Sequence, residues 1–135
     1  MIAQKKVSVV IPALNEELAI AKVVKDFLSQ KNSAGLPLID EVVVCDNGSS
    51  DDTCVMAAAS GAKVVYQAEG GYGIACQTAI RHLEYQDIVL FVDGDDSCLA
   101  SQAIELLSVL VDKNHVDMVI GSREKGDIEA GALTL

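Results

Sequence analysis

The chain has 135 residues, a length that predicts a single domain over residues 1–135 with a sizeable buried core. Half of the residues are apolar and 4% are aromatic, a composition that favours a compact α/β protein and argues against disorder. The formal net charge is −10, and no basic cluster extends beyond Lys5 and Lys6. This balance argues against duplex nucleic acid as a partner, since binding DNA requires neutralising its phosphates.

Membrane spans, secretory signals and cysteine motifs in a sequence indicate where a protein is located. No stretch approaches the roughly 20 apolar residues of a membrane span, and the apolar run near Met1 is too short for a secretory signal. The four cysteines at positions 45, 54, 76 and 98 are far apart and form no C-x-x-C pair. We therefore expect reduced thiols in a cytoplasmic protein, and the spacing gives little support for a structural zinc site.

Strands and helices are predicted to alternate along the chain. Short apolar runs predict strands at residues 7–11, 39–45, 63–66, 88–92 and 116–120. Helical spacing of apolar residues predicts helices at residues 18–31, 54–60, 74–84 and 101–113. Pro12 is expected to end the first strand, and Asn15 is expected to cap the first helix. The alternation predicts βαβ units with a mainly parallel sheet flanked by helices.

Polar or glycine-rich residues follow every predicted strand. The opposite ends of the strands show no such pattern. In open parallel sheets, ligands bind beyond the carboxyl ends of the strands, near the point where strand order reverses. In chain order these residues are Pro12, Asn15, Glu16, Asp46, Asn47, Gly48, Gln67, Glu69, Gly70, Gly71, Asp93, Asp95, Ser122 and Arg123. The sequence therefore predicts a binding site at this edge of the sheet.

Residues 87–97 contain the most informative pattern, because a buried strand ends there in closely spaced carboxylates. Asp93 and Asp95 are two residues apart, so in extended geometry both point to the same side. Gly94 between them has no side chain and is expected to let a ligand approach the backbone. Converging carboxylates suit Mg²⁺ or Mn²⁺ carrying a phosphate. The alternative is a solvated acidic turn that caps the next helix.

The other candidate residues also have simpler structural explanations. Residues 46–48 could form only a tight turn, and residues 16–17 could only favour a helix dipole. Arg123 could be a surface charge, and Tyr66 and Tyr72 could serve in packing.

Two motifs point weakly to other functions. Residues 71–76 nearly match a dinucleotide-binding fingerprint, but they follow the third predicted strand rather than the first, and Cys76 replaces a small residue. Residues 93–95 also resemble a phosphohydrolase motif, which normally lies on the first strand.

Taken together and in this order, five segments resemble family 2 glycosyltransferases of the GT-A fold. The resemblance is to bacterial enzymes similar to dolichol-phosphate mannose and undecaprenyl-phosphate glucose synthases, and it covers nearly the whole chain. The segments are residues 7–17, 43–53, 71–76, 91–95 and 118–123. Each motif is weak alone, whereas the set is specific.

The resemblance implies a nucleotide-sugar donor and a divalent metal. Asp93 and Asp95 would be the D-x-D pair that binds the diphosphate through Mg²⁺ or Mn²⁺, and Asp46 would accept a hydrogen bond from the base or ribose. A polyprenyl phosphate or a saccharide would be the acceptor. Inversion at the anomeric carbon would follow attack by an acceptor hydroxyl that a carboxylate base deprotonates. The implied donor-binding residues are Pro12, Leu14, Asn15, Glu16, Asp46, Gly73 and Asp93.

The chain departs from the family pattern in three places. Asp52 stands where a glycine is common, and residues 97–100 replace a more polar run that contains proline. The sequence stops at Leu135, whereas family members continue into an acceptor-binding segment, so we expect the catalytic base and acceptor site to be missing. Should a base lie within the chain, Asp96 and Glu124 are the first candidates.

These departures leave alternatives open. The first is a non-enzymatic nucleotide-sugar-binding remnant, and the second, less favoured, is a metal-dependent phosphohydrolase. An incompletely covered sheet would also favour self-association.

Overall fold

The computed structural model describes residues 1–121, which form an α/β fold of alternating strands and helices. The strands are β1 (Val7–Ala13), β2 (Glu41–Asp46), β3 (Lys63–Tyr66) and β4 (Ile88–Phe91). The helices are α1 (Ile20–Leu28), α2 (Thr53–Ala59), α3 (Tyr72–Arg81) and α4 (Ala100–Asp112). The four strands form one sheet in the order β3-β2-β1-β4, and every pair is parallel. The predicted mainly parallel α/β architecture is confirmed.

Strand β1 lies in the interior of the sheet and is covered on both faces. Val7, Val9 and Ile11 are fully buried on the face shared with α1, α2 and α4. Val10 is fully buried on the opposite face, where it packs with residues of α3. The continuous β-branched residues Val9, Val10 and Ile11 suit a strand that is buried on both faces.

The chain reverses its direction of travel across the sheet between β3 and β4. It moves outward from β1 to β2 and β3, and then returns to place β4 on the other side of β1. The carboxyl ends of β1 and β4 therefore flank a topological switch point, the position at which open α/β sheets bind ligands.

Pro12 does not end the first strand, because β1 continues to Ala13 and Pro12 pairs in register with Cys45. The N–H of Val92 donates to Val10 O, whereas the N–H of Asn47 donates to Ala13 O. Even-numbered positions of β1 thus face β4, which ends at Phe91. Pro12 has no N–H with which to continue this ladder, and the pairing of β1 with β4 ends at Val10 and Phe91.

Asn15 does not cap the first helix. The cap position of α1 is Ala19, the helix runs only from Ile20 to Leu28, and Asn15 adopts a positive φ of 54° within the preceding loop. Asparagine tolerates this left-handed conformation better than most residues, which explains its presence in the turn. Helix α3 begins at Tyr72, two residues before the predicted start, so Gly73 lies in its first turn.

The predicted fifth strand is wrong within the described residues, since residues 116–120 form no strand. Met118 and Ile120 are 74% and 76% exposed, respectively. An apolar run indicates a preference for burial, but a strand also requires ladder hydrogen bonds, and these depend on a partner edge. Ser122 and Arg123, placed after this strand by the sequence, lie outside the described residues, as does Glu124.

Candidate functional site

Three carboxylates meet at the carboxyl ends of β1 and β4. Asp93 and Asp95 are exposed just beyond β4, and Glu16 is half-buried in the loop after β1. Desolvation raises the pKa of Glu16, and the nearby carboxylates of Asp95, Asp51 and Asp93 raise it further. The contributions from Asp95, Asp51 and Asp93 indicate that these acids lie near Glu16, and a divalent cation bound among them would lower their mutual repulsion.

Gly94 brings the two strand ends into close contact. A Cβ built on Gly94 would lie 3.4 Å from Ile11 Cγ2 and 3.5 Å from both Glu16 Cγ and Ile20 Cδ1. The missing side chain therefore faces the protein and Glu16, and not an approaching ligand as the sequence suggested. Asp93 and Asp95 are exposed on either side of buried Gly94, so both residues are accessible at the protein surface.

The turn after β4 is held by two polar contacts. The N–H of Ser97 donates to Asp95 Oδ1 at 3.0 Å. Asp96 has a positive φ of 63°, and its Oδ1 accepts a hydrogen bond from Lys22 Nζ at 3.1 Å. Lys22 also contacts Asp26 at 2.7 Å, and hydrogen bonds to Asp26 and Asp96 raise the pKa of its ammonium group. Lys22 thus links α1 to the turn that carries the carboxylate pair.

The loop after β1 (residues 14–19, the β1–α1 loop) is bonded to the loop after β2 (residues 47–52, the β2–α2 loop). Asn15 contributes twice: its N–H donates to Ser49 Oγ at 2.9 Å, and its Oδ1 accepts from the N–H of Ser50 at 2.9 Å. The N–H of Asp52 donates to Glu17 Oε2 at 3.1 Å. The two loops are therefore joined by several hydrogen bonds beside the carboxylates.

Thr53 supports Glu16 directly. The hydroxyl oxygen of Thr53 accepts a hydrogen bond from the N–H of Glu16 at 2.9 Å, and the hydroxyl donates to Asp51 Oδ1. The Thr53 side chain is fully buried. Its hydroxyl therefore fixes the backbone of Glu16 next to the carboxylate pair, a role that the sequence did not reveal.

The other predicted nucleotide-binding residues lie around the same carboxyl-end edge of the sheet. They differ in how far they are exposed to solvent. Leu14 is 53% exposed, whereas Asp46 is only 3% exposed and its Oδ1 accepts from the N–H of Ser49 at 3.1 Å. Pro12 is half-buried within β1, and Gly73 is exposed in the first turn of α3. Asp46 therefore already uses one oxygen to hold the β2–α2 loop.

The cysteines do not form an alternative reactive or metal centre. All four are free thiols. Burial raises the pKa of both Cys45 and Cys54 to about 11, with Asp46 contributing in each case, so these thiols are neutral at pH 7. Burial also raises the pKa values of Cys76 and Cys98. Neutral thiols are poor nucleophiles.

Within residues 1–121 no three His, Cys, Asp or Glu side chains are arranged to hold a metal by themselves. This arrangement still fits Mg²⁺ or Mn²⁺ bound together with a nucleotide. Such ions usually take one or two protein carboxylates and complete their coordination with phosphate oxygens and water. Asp93 and Asp95 supply carboxylates of that kind.

Comparison with known proteins identifies the family. The model of the family described as Glycosyl transferase family 2 matches residues 8–134. The chain belongs to this glycosyltransferase family. The resemblance inferred from the five motifs is confirmed.

Relatives of this family 2 chain include both short and long proteins. Protein RfbJ of Shigella flexneri is 39% identical over 122 residues, covering 90% of this chain and 88% of RfbJ. Glucosyl-3-phosphoglycerate synthase of Mycobacterium tuberculosis is 40% identical over 101 residues, covering 69% of this chain and 30% of the synthase. The sequence match thus spans less than a third of that enzyme's length.

A solved structure of the mycobacterial synthase shares the fold. It superposes with a TM-score of 0.71 at 33% identity, over 83% of this chain and 42% of the synthase, and contains Mn²⁺, uridine diphosphate and glucosyl-3-phosphoglycerate. Another structure of the synthase contains Mg²⁺ and uridine diphosphate. The fold of this family 2 chain is therefore the GT-A, Rossmann-like fold, and its homologues bind the metals that the carboxylate pair predicted.

The raised pKa of Glu16 predicts how stability depends on pH in the absence of metal. A carboxyl group with a higher pKa in the folded state binds more protons there than in the unfolded state, so stability falls as pH rises through that range. We expect Glu16→Gln to raise the melting temperature at pH 7, with the gain shrinking towards pH 4, where Glu16 becomes protonated. Melting curves between pH 4 and 7 measure this.

The matched control for this substitution is Glu105→Gln, which neutralises an exposed glutamate on α4. Its melting temperature should follow the wild-type pH dependence. Equal pH profiles for Glu16→Gln and the wild type would contradict the clustering of negative charge at the site.

Proposed function

We propose that this chain binds a nucleotide-diphosphate sugar at the carboxyl ends of β1 and β4, as the donor-binding domain of an inverting glycosyltransferase. The observation that carries the proposal is the meeting of Glu16 with Asp93 and Asp95 at the topological switch point. Their charge would repel a diphosphate, so a cation must mediate its binding. Family membership and the metal-bound uridine diphosphate of the mycobacterial synthase support this interpretation.

Each part of the site has a proposed role. Asp93 and Asp95 hold Mg²⁺ or Mn²⁺, which would stabilise the charge that develops on the departing nucleoside diphosphate. Pro12, Leu14, Asn15 and Glu16 border the nucleoside, with Asp46 at the base or ribose. Gly73 lies in the first turn of α3, where exposed backbone allows a phosphate or sugar to approach.

The proposed reaction exchanges one bond at the anomeric carbon. A hydroxyl or phosphate oxygen of a saccharide or polyprenyl phosphate attacks that carbon, and the bond from the carbon to the diphosphate oxygen breaks. A hydroxyl acceptor loses its proton to a carboxylate base, which we leave unassigned. The chain's four free cysteines support a cytoplasmic location for this reaction. Among the described residues, no helix has the length and apolar character to cross a membrane.

Titration calorimetry with uridine diphosphate tests the proposal. We expect binding in the presence of Mn²⁺ and little or none in the presence of EDTA, because the protein carries a net charge of −10. A labelled-donor assay then separates the alternatives. Transfer to an acceptor indicates an enzyme, binding without turnover indicates a binding module, and release of inorganic phosphate indicates a phosphohydrolase. The proposed site would be contradicted if uridine diphosphate bound equally well without a metal, or if it did not bind at all.

We also propose that the chain self-associates through the β4 side of the sheet. A groove of about 380 Å³ lies there, lined mainly by apolar residues of β4, α4 and residues 117–121. Met118 and Ile120 are highly exposed beside it. Because exposed apolar surface next to a strand edge favours association, we expect a dimer or larger species at micromolar concentration, measured by light scattering after size exclusion.

Substitutions that introduce a charge test which surface mediates self-association. Ile120→Lys should shift the protein towards the monomer, because association would bury an unpaired charge. Val55→Lys, which makes the same change at a 65% exposed position on α2, should leave the oligomeric state unchanged. A wild-type monomer over a wide concentration range would contradict the proposal.

A further inference from the structure

The connection between β3 and α3 (residues 67–71, the β3–α3 loop) borders the candidate site and has a glycine-rich sequence. It contains Gly70 and Gly71, and Gly71 has a φ of 140°, in the region that favours glycine. A segment of this composition loses much conformational entropy when it is ordered. Its fixed position therefore requires stabilising contacts from outside the loop.

Asn47 supplies most of those contacts. Its Nδ2 donates to Gln67 O at 2.9 Å and to Glu69 O at 2.7 Å. Its Oδ1 accepts from the N–H of Gly71 at 2.9 Å. The backbone N–H of Asn47 donates to Ala13 O at 2.9 Å. One residue thus joins the end of β1 and the end of β2 to three backbone positions of the β3–α3 loop.

The orientation of the Asn47 amide follows from its partners. Two carbonyl oxygens require the NH₂ group, and one N–H requires the carbonyl oxygen. An aspartate, the chemically closest residue, cannot make this set of bonds at neutral pH because it has no donor. The donors and the acceptor of the asparagine amide therefore complement the carbonyl and N–H groups of the loop backbone. Other polar turn residues do not offer this combination.

The loop determines where α3 begins, and the first residue of α3 lies at the site. Tyr72 follows Gly71 directly and is 60% exposed. Because α3 follows β3 in an all-parallel sheet, Tyr72 lies at the edge of the sheet where the carboxyl ends of the strands meet. Desolvation raises the pKa of the Tyr72 hydroxyl, with further contributions from Cys76 and Asp93. Moving the β3–α3 loop would consequently move Tyr72 and Gly73 relative to Asp93.

We propose that Asn47 is a positioning residue that holds the β3–α3 loop as a preformed wall of the nucleotide-sugar site. This inference rests on the proposed function, because it assigns the loop to the same donor. Asn47 acts through the loop backbone, since both hydrogens of its amide and one acceptor site of its Oδ1 are bonded to the loop. Without it, the donor would have to order the loop upon binding, and affinity would fall.

The test compares two asparagines that anchor loops at opposite edges of the sheet. Asn47→Ala removes the contacts to the β3–α3 loop. The control Asn32→Ala removes similar side-chain bonds, from the N–H groups of Ala34 and Leu36 to Asn32 Oδ1, in the loop that precedes β2. Titration calorimetry measures binding of Mn²⁺ alone and of uridine diphosphate with Mn²⁺. Hydrogen exchange measures protection of the amides at positions 69–71.

We expect Asn47→Ala to weaken uridine diphosphate binding about tenfold or more, while binding of Mn²⁺ alone changes less than about twofold. The amides at positions 69–71 should exchange faster in this variant and regain protection with saturating nucleotide. Asn32→Ala should match the wild type in both measurements. A general loss of stability would not produce this separation between metal and nucleotide.

Other outcomes overturn the inference. Faster exchange at positions 69–71 with unchanged nucleotide affinity would show that the loop does not contribute to binding. Unchanged exchange would show that Asn47 does not hold the loop. A wild-type protein that fails to bind the nucleotide would overturn the proposed function as well. If Asn47→Ala does not fold, Asn47→Ser replaces it with the same measurements, since a shorter hydroxyl cannot reach all three partners.

Discussion

Replacing Asp93 or Asp95 with asparagine is expected to lower the Mn²⁺-dependent affinity for uridine diphosphate at least about tenfold, or ~1.4 kcal/mol. Each substitution removes a negative oxygen ligand from the proposed metal site while keeping the shape of the side chain. Both residues are exposed beyond β4, so little packing is lost. Asparagine at position 95 keeps an oxygen that can accept from the N–H of Ser97, so no large fall in the melting temperature is expected. Each substitution also removes a negative charge that repels Glu16, which should raise the melting temperature slightly in the absence of metal.

Calorimetry with and without Mn²⁺ measures this effect, and Asp112→Asn provides the control. Asp112 is an exposed aspartate at the end of α4, so its replacement makes the same change in net charge away from the site. Its nucleotide affinity should equal that of the wild type. Equal affinities in the wild type and both site variants would show that the carboxylate pair does not bind the metal.

Thr53→Val is expected to destabilise the protein by about 2 kcal/mol. Valine has nearly the same shape as threonine, so the buried volume is preserved while the hydroxyl is lost. The N–H of Glu16 then has no acceptor there, and Asp51 loses a hydroxyl donor. Because Thr53 is fully buried, water cannot replace the hydroxyl without rearrangement.

Denaturant unfolding of Thr53→Val and Thr53→Ser separates the contribution of the hydroxyl from that of packing. Serine keeps the hydroxyl and loses a methyl group, so it should retain the Glu16 contact at a cost of about 1 kcal/mol for the lost methyl group. We expect serine to be the more stable variant of the two. A valine variant as stable as the wild type would contradict the inferred support of Glu16.

Much of the fold follows from local patterns in the sequence. The apolar runs identify β1 to β4, and the bounds of β3 match the prediction because Lys63 and Tyr66 border a short β-branched pair. Alternation of strands with helices implies right-handed crossovers, and hence a parallel sheet whose carboxyl ends share one edge. Asp93 and Asp95 were therefore recognisable as candidate site residues before any contact was known. The family resemblance added the identity of the expected ligand, because a D-x-D pattern alone does not specify one.

Only the tertiary structure decided which residues meet and which of them serve as supports. The strand order β3-β2-β1-β4 places Glu16 beside Gly94, yet strands at these sequence positions could have been ordered differently. Asn15 proved to hold the β2–α2 loop instead of capping α1, and residues 116–120 did not form the strand that their composition favours. The sequence pattern reports the burial preference of each segment. The partners of Thr53 and Asn47, by contrast, lie up to 37 residues away along the chain, and their hydrogen bonds depend on how loops converge after the sheet has assembled.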